Sequence, residues 1–106
     1  MCENRREFRC RLAFDESGAI SDLSWDPAKS DRNLAERGFD FGFAGLIFRG
    51  PVLERRDTRH KSEVRFQTIG EAGGAILFVV YTVRGGRCRI ISARAATPFE
   101  TELYHD

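Results

Sequence analysis

The run Ala75-Ile76-Leu77-Phe78-Val79-Val80-Tyr81-Thr82-Val83-Arg84-Gly85-Gly86-Arg87-Cys88-Arg89-Ile90-Ile91-Ser92-Ala93 decides how this chain folds. Two β-rich segments flank Gly85-Gly86, and paired glycines supply the positive φ that a two-residue hairpin turn requires. The turn sets the pairing: Arg84 faces Arg87, Thr82 faces Arg89, Val80 faces Ile91 and Phe78 faces Ala93. Opposed residues share a sheet face. Leu77, Val79, Tyr81, Val83, Cys88, Ile90 and Ser92 then form an apolar core side. Phe78, Val80, Thr82, Arg84, Arg87, Arg89, Ile91 and Ala93 form the other.

Moving outward, Glu63–Ile69 reads as a preceding strand whose Ile69 pairs with Ile76 across a Gly70–Ala75 loop. This register puts Val64, Phe66 and Thr68 on the core side. Arg65 and Gln67 fall on the other, with Arg65 beside Val80 and within reach of Arg84 and Arg89. Val52–Arg56 supplies a fourth strand. After the hairpin, Thr97-Pro98-Phe99-Glu100 is a capping box with Pro at the first helical position, so a short helix holding Leu103 and Tyr104 follows. Upstream, Asp26 caps a helix that begins at Pro27 and closes at Gly38. A second short helix starts after Asp40, with Phe41, Ala44 and Phe48 on one face, and stops before Gly50-Pro51. Phe8, Cys10, Leu12 and Phe14 alternate with Arg9, Arg11 and Ala13, the pattern of a half-buried edge strand ended by the turn-rich Asp15–Gly18. The expected class is α+β: two N-terminal helices on a twisted antiparallel sheet of about four strands, a short C-terminal helix and an added N-terminal edge strand.

A chain of 106 residues and 12.1 kDa has room for one domain. Its 42% hydrophobic content, with nine Phe, supports a folded core. Seventeen basic against sixteen acidic residues leave a net charge of +1, which at first argues against a nucleic-acid partner. The charge is unevenly distributed: residues 1–48 carry seven basic and nine acidic groups, and residues 49–106 carry ten and seven. Fifteen of the seventeen cations are Arg, whose planar fork suits phosphate; a GC-rich genome encodes the same bias. Cys2, Cys10 and Cys88 form no CxxC pair and read as reduced thiols of a cytoplasmic protein. The N-terminus has no apolar signal region, and the longest apolar run, Ala75 to Tyr81, is too short to span a bilayer.

The central constellation lies on the polar side of the hairpin. Residues 84–94 contain four Arg and no acid, and Arg84, Arg87 and Arg89 should gather there with Arg65. Glu63 is the one acid placed with them. Guanidinium groups spaced along a strand suit a polyanion and the charge of a phosphoryl transition state. A solvated, aggregation-resistant sheet face is the alternative. Other chemistry is sparse: no acidic pair at ligand spacing accompanies His60 or His105, and no Gly-rich loop links a strand to a helix, so neither metal nor cofactor is expected. His60 falls in the polar loop Asp57–Ser62. Tyr104 reads first as a hydrophobic anchor and second as a group near scissile phosphate.

Trp25-Asp26-Pro27-Ala28-Lys29, Asn33 and Gly38-Phe39-Asp40-Phe41 resemble the BrnT family of toxins from bacterial type II toxin–antitoxin modules. The resemblance continues through Glu63, Arg65, Ile69-Gly70, Val80-Tyr81-Thr82 and Arg89-Ile90-Ile91-Ser92-Ala93-Arg94-Ala95-Ala96-Thr97 to Glu100 and Tyr104. It covers residues 23–104, leaving 1–22 as an N-terminal extension before a toxin-like domain of 23–106. The resemblance implies a RelE-like fold and a metal-independent endoribonuclease that cleaves RNA and inhibits translation. It also implies neutralisation by a BrnA-type antitoxin, a toxin homodimer within a heterotetramer, and contact with DNA only through the antitoxin. Arg65 and Arg94 match the family-pattern arginines; Arg84 and Arg89 join them as catalytic candidates from the register. Arg94 has core-side parity, in tension with that role. Lys29, Arg37 and Arg87 are candidate RNA contacts, and Glu63, Lys29 and Tyr104 are candidates for the general base. The family usually has Lys-His where Glu36-Arg37 stands, which removes one proton carrier. The runner-up reading is a catalytically degenerate module that binds an antitoxin and modulates its DNA binding; a third is a structural dimerisation domain.

Overall fold

The computed structural model describes residues 23–59 and 62–106 in full and the backbone of residues 9–12. The elements are β1 (Arg9–Leu12), β2 (Leu23–Trp25), α1 (Pro27–Arg37), α2 (Phe41–Ala44), β3 (Pro51–Asp57), β4 (Arg65–Ala72), β5 (Ala75–Arg84), β6 (Arg87–Ala95) and α3 (Pro98–His105). A 3₁₀ helix, Gly45–Arg49, continues α2. Among the described residues the sheet has six strands in the order β1-β3-β4-β5-β6-β2. The α+β class holds, and the wholly antiparallel sheet does not: β2 pairs in parallel with β6, Trp25 against Ile90. Three residues followed at once by a helix cap carry too little period-two signal to read as a strand. The edge strand is present as β1, antiparallel to β3. Its side chains, the turn at 15–18 and His60 lie outside the described residues.

Both hairpins close through two glycines with left-handed backbone. Gly85 and Gly86 have φ of 56° and 78°, and Gly73 and Gly74 have 55° and 85°. The second turn replaces the expected Gly70–Ala75 loop, so β4 runs on to Ala72 and Ile69 faces Phe78 rather than Ile76. The slip is two residues, so every side chain keeps its expected face. The first hairpin follows the expected register only as far as Tyr81–Ile90. The next pair is Val80–Ser92, so Ile91 is an extra residue in β6, a bulge. Beyond it parity inverts: Ala93 turns into the core at 0% exposure, while Ser92 and Arg94 move to the opposite face. Val83, expected in the core, lies exposed at the mouth of the hairpin.

The main core fills the space between the sheet and α2 with its 3₁₀ extension, through Phe41, Ile47, Phe48, Val79, Tyr81 and Ile90. Helix α1 is anchored differently. Its two buried residues are Ser30 and Asn33, not apolar ones. Ser30 Oγ accepts from the Phe41 N–H at 2.9 Å, and Asn33 Nδ2 donates to the Phe39 carbonyl at 2.8 Å. Asp26 and Asp40 cap α1 and α2 as expected, accepting from the Ala28 and Phe43 N–H groups. The Thr97–Glu100 capping box starts α3. This helix packs on β4 at one end of the opposite face, where Ile69, Phe78 and Leu103 are buried.

Candidate functional site

On the face opposite α1 and α2, Arg65 lies opposite Thr82, and Thr82 lies opposite Arg89. The two arginines are therefore separated by one strand, about 10 Å between backbones. Thr82 is 1% exposed, and its hydroxyl donates to the Val64 carbonyl at 2.7 Å, making a closed floor between them. Arg84 and Arg87 form the adjoining row at the hairpin mouth. Glu63 ties two of the cations together. Its Oε2 accepts from Arg65 Nε at 3.1 Å, and its Oε1 accepts from Arg84 Nη2 at 3.1 Å. The Arg84 hydrogen bond, seconded by that of Arg65, holds the Glu63 carboxyl below the usual glutamate value. One anion thus restrains two guanidiniums without matching their charge.

The other expected site residues are dispersed. The bulge does place Arg94 on the arginine face, resolving its parity. It lies opposite Phe78, however, four residues along β5 from Thr82, or roughly 13 Å. There its Nη1 and Nη2 donate to both Glu100 oxygens at 2.8 and 2.9 Å, and its guanidinium sits 4.1 Å from the Phe78 ring centroid. Burial pushes the Glu100 carboxyl up, but hydrogen bonds from Arg94 and Thr97 outweigh it and leave the group below its ordinary value. Arg37 donates from Nη1 to the Ala93 carbonyl at 2.9 Å and to Asn33 Oδ1 at 3.2 Å, pinning α1 to the strand just past the bulge. Lys29 and Arg37 line a groove of about 190 Å³ between α1 and Ser92 of β6. The Tyr104 hydroxyl donates to the Pro51 carbonyl at 2.9 Å, far from the cluster, which favours its reading as an anchor.

Two acids escaped the sequence reading. Asp57 shares the arginine face, opposite Arg65, so Glu63 is not the only carboxylate there. Extending the Val52–Arg56 alternation by one residue exposes it, but without the β3 register its neighbours are unknown. Glu54 lies on the helix side, where its Oε1 accepts from the Tyr81 hydroxyl at 2.6 Å and from Thr68 Oγ1 at 3.2 Å. That contact satisfies a core tyrosine. No group of three His, Cys, Asp or Glu side chains among the described residues is arranged to hold a metal ion. Nor is any helix among them long and apolar enough to cross a membrane. What the arginine face offers chemically is a set of fixed, permanently charged donors able to bind phosphate and to stabilise negative charge as it develops.

A family model described as the ribonuclease toxin BrnT of type II toxin–antitoxin systems matches residues 25–100. Among solved structures, the fold is similar to the 1.1 Å crystal structure of the Brucella abortus ribonuclease toxin BrnT, with a TM-score of 0.52 and 25% sequence identity. The similarity covers 71% of this chain and 95% of that one. No curated protein matches by sequence.

Proposed function

Because the chain belongs to the BrnT ribonuclease toxin family of type II toxin–antitoxin systems, we propose that it cleaves RNA at the arginine face and that an antitoxin neutralises it. The observation that carries this reading is the Arg65–Glu63–Arg84 clamp beside Arg89, three cations gathered by strand register on one exposed face. In the proposed reaction the ribose 2′-oxygen attacks the adjacent phosphorus. A P–O2′ bond forms, the P–O5′ bond breaks, the 2′-proton passes to a base and the 5′-oxygen takes up a proton as it leaves. Arg65, Arg84 and Arg89 bind the non-bridging oxygens and neutralise the charge of the pentacoordinate transition state without a metal.

The roles divide by geometry. Glu63, acidified by two arginines, is a weak base and serves best to orient them. Arg94 is bound to Glu100 away from the cluster and supports the terminal helix. Arg87 and Lys29, exposed at the rim and at the α1 groove, are placed for RNA backbone contacts. Arg37 holds α1 against β6. The RelE-like architecture, a BrnA-type antitoxin and assembly of a toxin homodimer with an antitoxin dimer remain part of this proposal. A partner that engaged the arginine face would block catalysis directly.

Expression without antitoxin should arrest growth, and the purified protein should cleave RNA in EDTA. Arg65→Ala should lower the cleavage rate about a hundredfold or more, the scale on which loss of one transition-state donor is felt. A wild-type protein that binds antitoxin tightly yet leaves RNA intact would instead establish the non-enzymatic partner module.

A further inference from the structure

Beyond the cluster, the same face continues to a cleft of about 340 Å³ at the end of β3, lined by Arg55, Arg56, Asp57, Thr58, Arg59 and Gln67. We propose that this cleft is a second phosphate subsite, in which Arg55 and Arg59 bind an RNA phosphodiester other than the scissile one. The proposal rests on the ribonuclease reading above and adds to it where the substrate strand runs.

The cleft is preorganised around Asp57, which is 8% exposed. Asp57 Oδ1 accepts from the backbone N–H and Nε of Arg59 at 3.1 and 2.8 Å, and Oδ2 accepts from Arg59 Nη2 at 2.8 Å. Gln67 Nε2 donates to the same Oδ2 at 3.2 Å. With its amide so oriented, Gln67 turns Oε1 to Arg55 Nε, which donates at 2.6 Å. A single carboxylate therefore orients two guanidiniums, one directly and one through an amide. The bidentate pair uses only part of Arg59's donor set, because a guanidinium carries five N–H donors and the carboxylate takes two. Among the described residues, Arg55, Arg56 and Arg59 line the cleft with one aspartate. Ordering of the side chains before a ligand arrives lowers the entropic cost of binding one.

Register supplies the ligand class. Asp57 faces Arg65 and Arg55 faces Gln67, so the cleft begins one strand from the cluster and on the same face. A chain crossing the strands from β6 to β3 meets Arg89, then Arg65, then the Arg55–Arg59 pair. Cations repeated along such a line match a flexible polyanion, and single-stranded RNA is the polyanion that the neighbouring cluster is built to cut.

The test uses the full-length protein and labelled oligoribonucleotides of four and twelve nucleotides. The wild type should gain affinity with length. An Arg55→Ala/Arg59→Ala double variant should lose that gain, with KM for the twelve-mer rising about tenfold or more, kcat changing much less, and the slope of log affinity against log salt falling by about 1. Arg55→Lys/Arg59→Lys, which keeps charge without the fork, should recover part of the affinity. Arg65→Ala should instead act chiefly on kcat. Unchanged KM and salt slope in the double variant, with Arg65→Ala still inactive, would overturn the subsite and leave the ribonuclease reading standing. If the wild type cuts no RNA, the ribonuclease reading fails and the salt slope measured by anisotropy decides the subsite alone. A double variant that loses antitoxin binding but retains RNA affinity would make the cleft a protein contact and overturn the proposal.

Discussion

Arg65, Arg84 and Arg94 all pair with glutamates, but in different settings. Glu63 is shared and leaves its two partners with charge to spare. Glu100 is matched to a single arginine that also covers an aromatic ring, so that pair locks α3 to the sheet. Both carboxyls lie below their ordinary values in the folded protein. Each therefore contributes stability that is present above the unfolded glutamate pKa of about 4.3 and lost as pH falls through the lower folded value. Thermal unfolding followed from pH 7 to pH 3 should show the wild type losing stability mainly below pH 5, and Glu63→Gln and Glu100→Gln should each flatten part of that fall. Arg94→Ala should cost about 1–2 kcal/mol at neutral pH, the lower range for a charge-assisted pair because the guanidinium is partly exposed. Its effect on cleavage per folded molecule should be small beside that of Arg65→Ala. At this scale the clustering of Arg65 with Arg84 was legible, because one turn and one parity argument sufficed. The pairing of Arg94 was not, because its face depends on an inserted residue that changes parity without a glycine or proline to announce it.

Among the elements, turns and caps were the most legible features. Asp26, Asp40 and Thr97 each make the side-chain cap that their position announced. The bulge at Ile91 was silent, and it is the element-level feature with the largest consequence. It turns Ala93 inward, where a small side chain fits beneath the helices and its carbonyl receives Arg37, and turns Arg94 outward. Arg37→Ala should consequently lower stability by about 1 kcal/mol in urea unfolding, with RNA affinity changing less than for Arg87→Ala. Gly70 is the complementary case of close approach. A Cβ there would lie 2.8 Å from Ile47 Cβ and 3.0 Å from Val52 Cγ1, so the 3₁₀ helix and β3 must both give way. Gly70→Ala should cost about 1–3 kcal/mol by the same unfolding measurement, an overpacking penalty despite the gain in strand propensity.

Over the whole molecule, a net charge of +1 coexists with an electropositive face because the acids are concentrated elsewhere or spent on structural pairs. RNA binding should therefore be local and steeply salt-dependent. With four to six phosphates engaged, log affinity should fall with log salt at a slope of about −3 to −4, measured by anisotropy between 50 and 200 mM. A slope near −1 would mean that the arginine face is not the RNA surface. Period-two alternation, turn glycines and caps act over a few residues, so the amino-acid order alone carried the α+β class, both N-terminal helices, the first hairpin and the face shared by Arg65, Arg84 and Arg89. The parallel pairing of β2, the bulge that redirects Arg94, the burial of Ser30 and Asn33 beneath a polar helix, and the meeting of Asp57 with Gln67 depend on how distant segments pack. Those outcomes emerged only when the strands were laid side by side, since register across a sheet and competition for a small buried volume are set by partners remote in sequence.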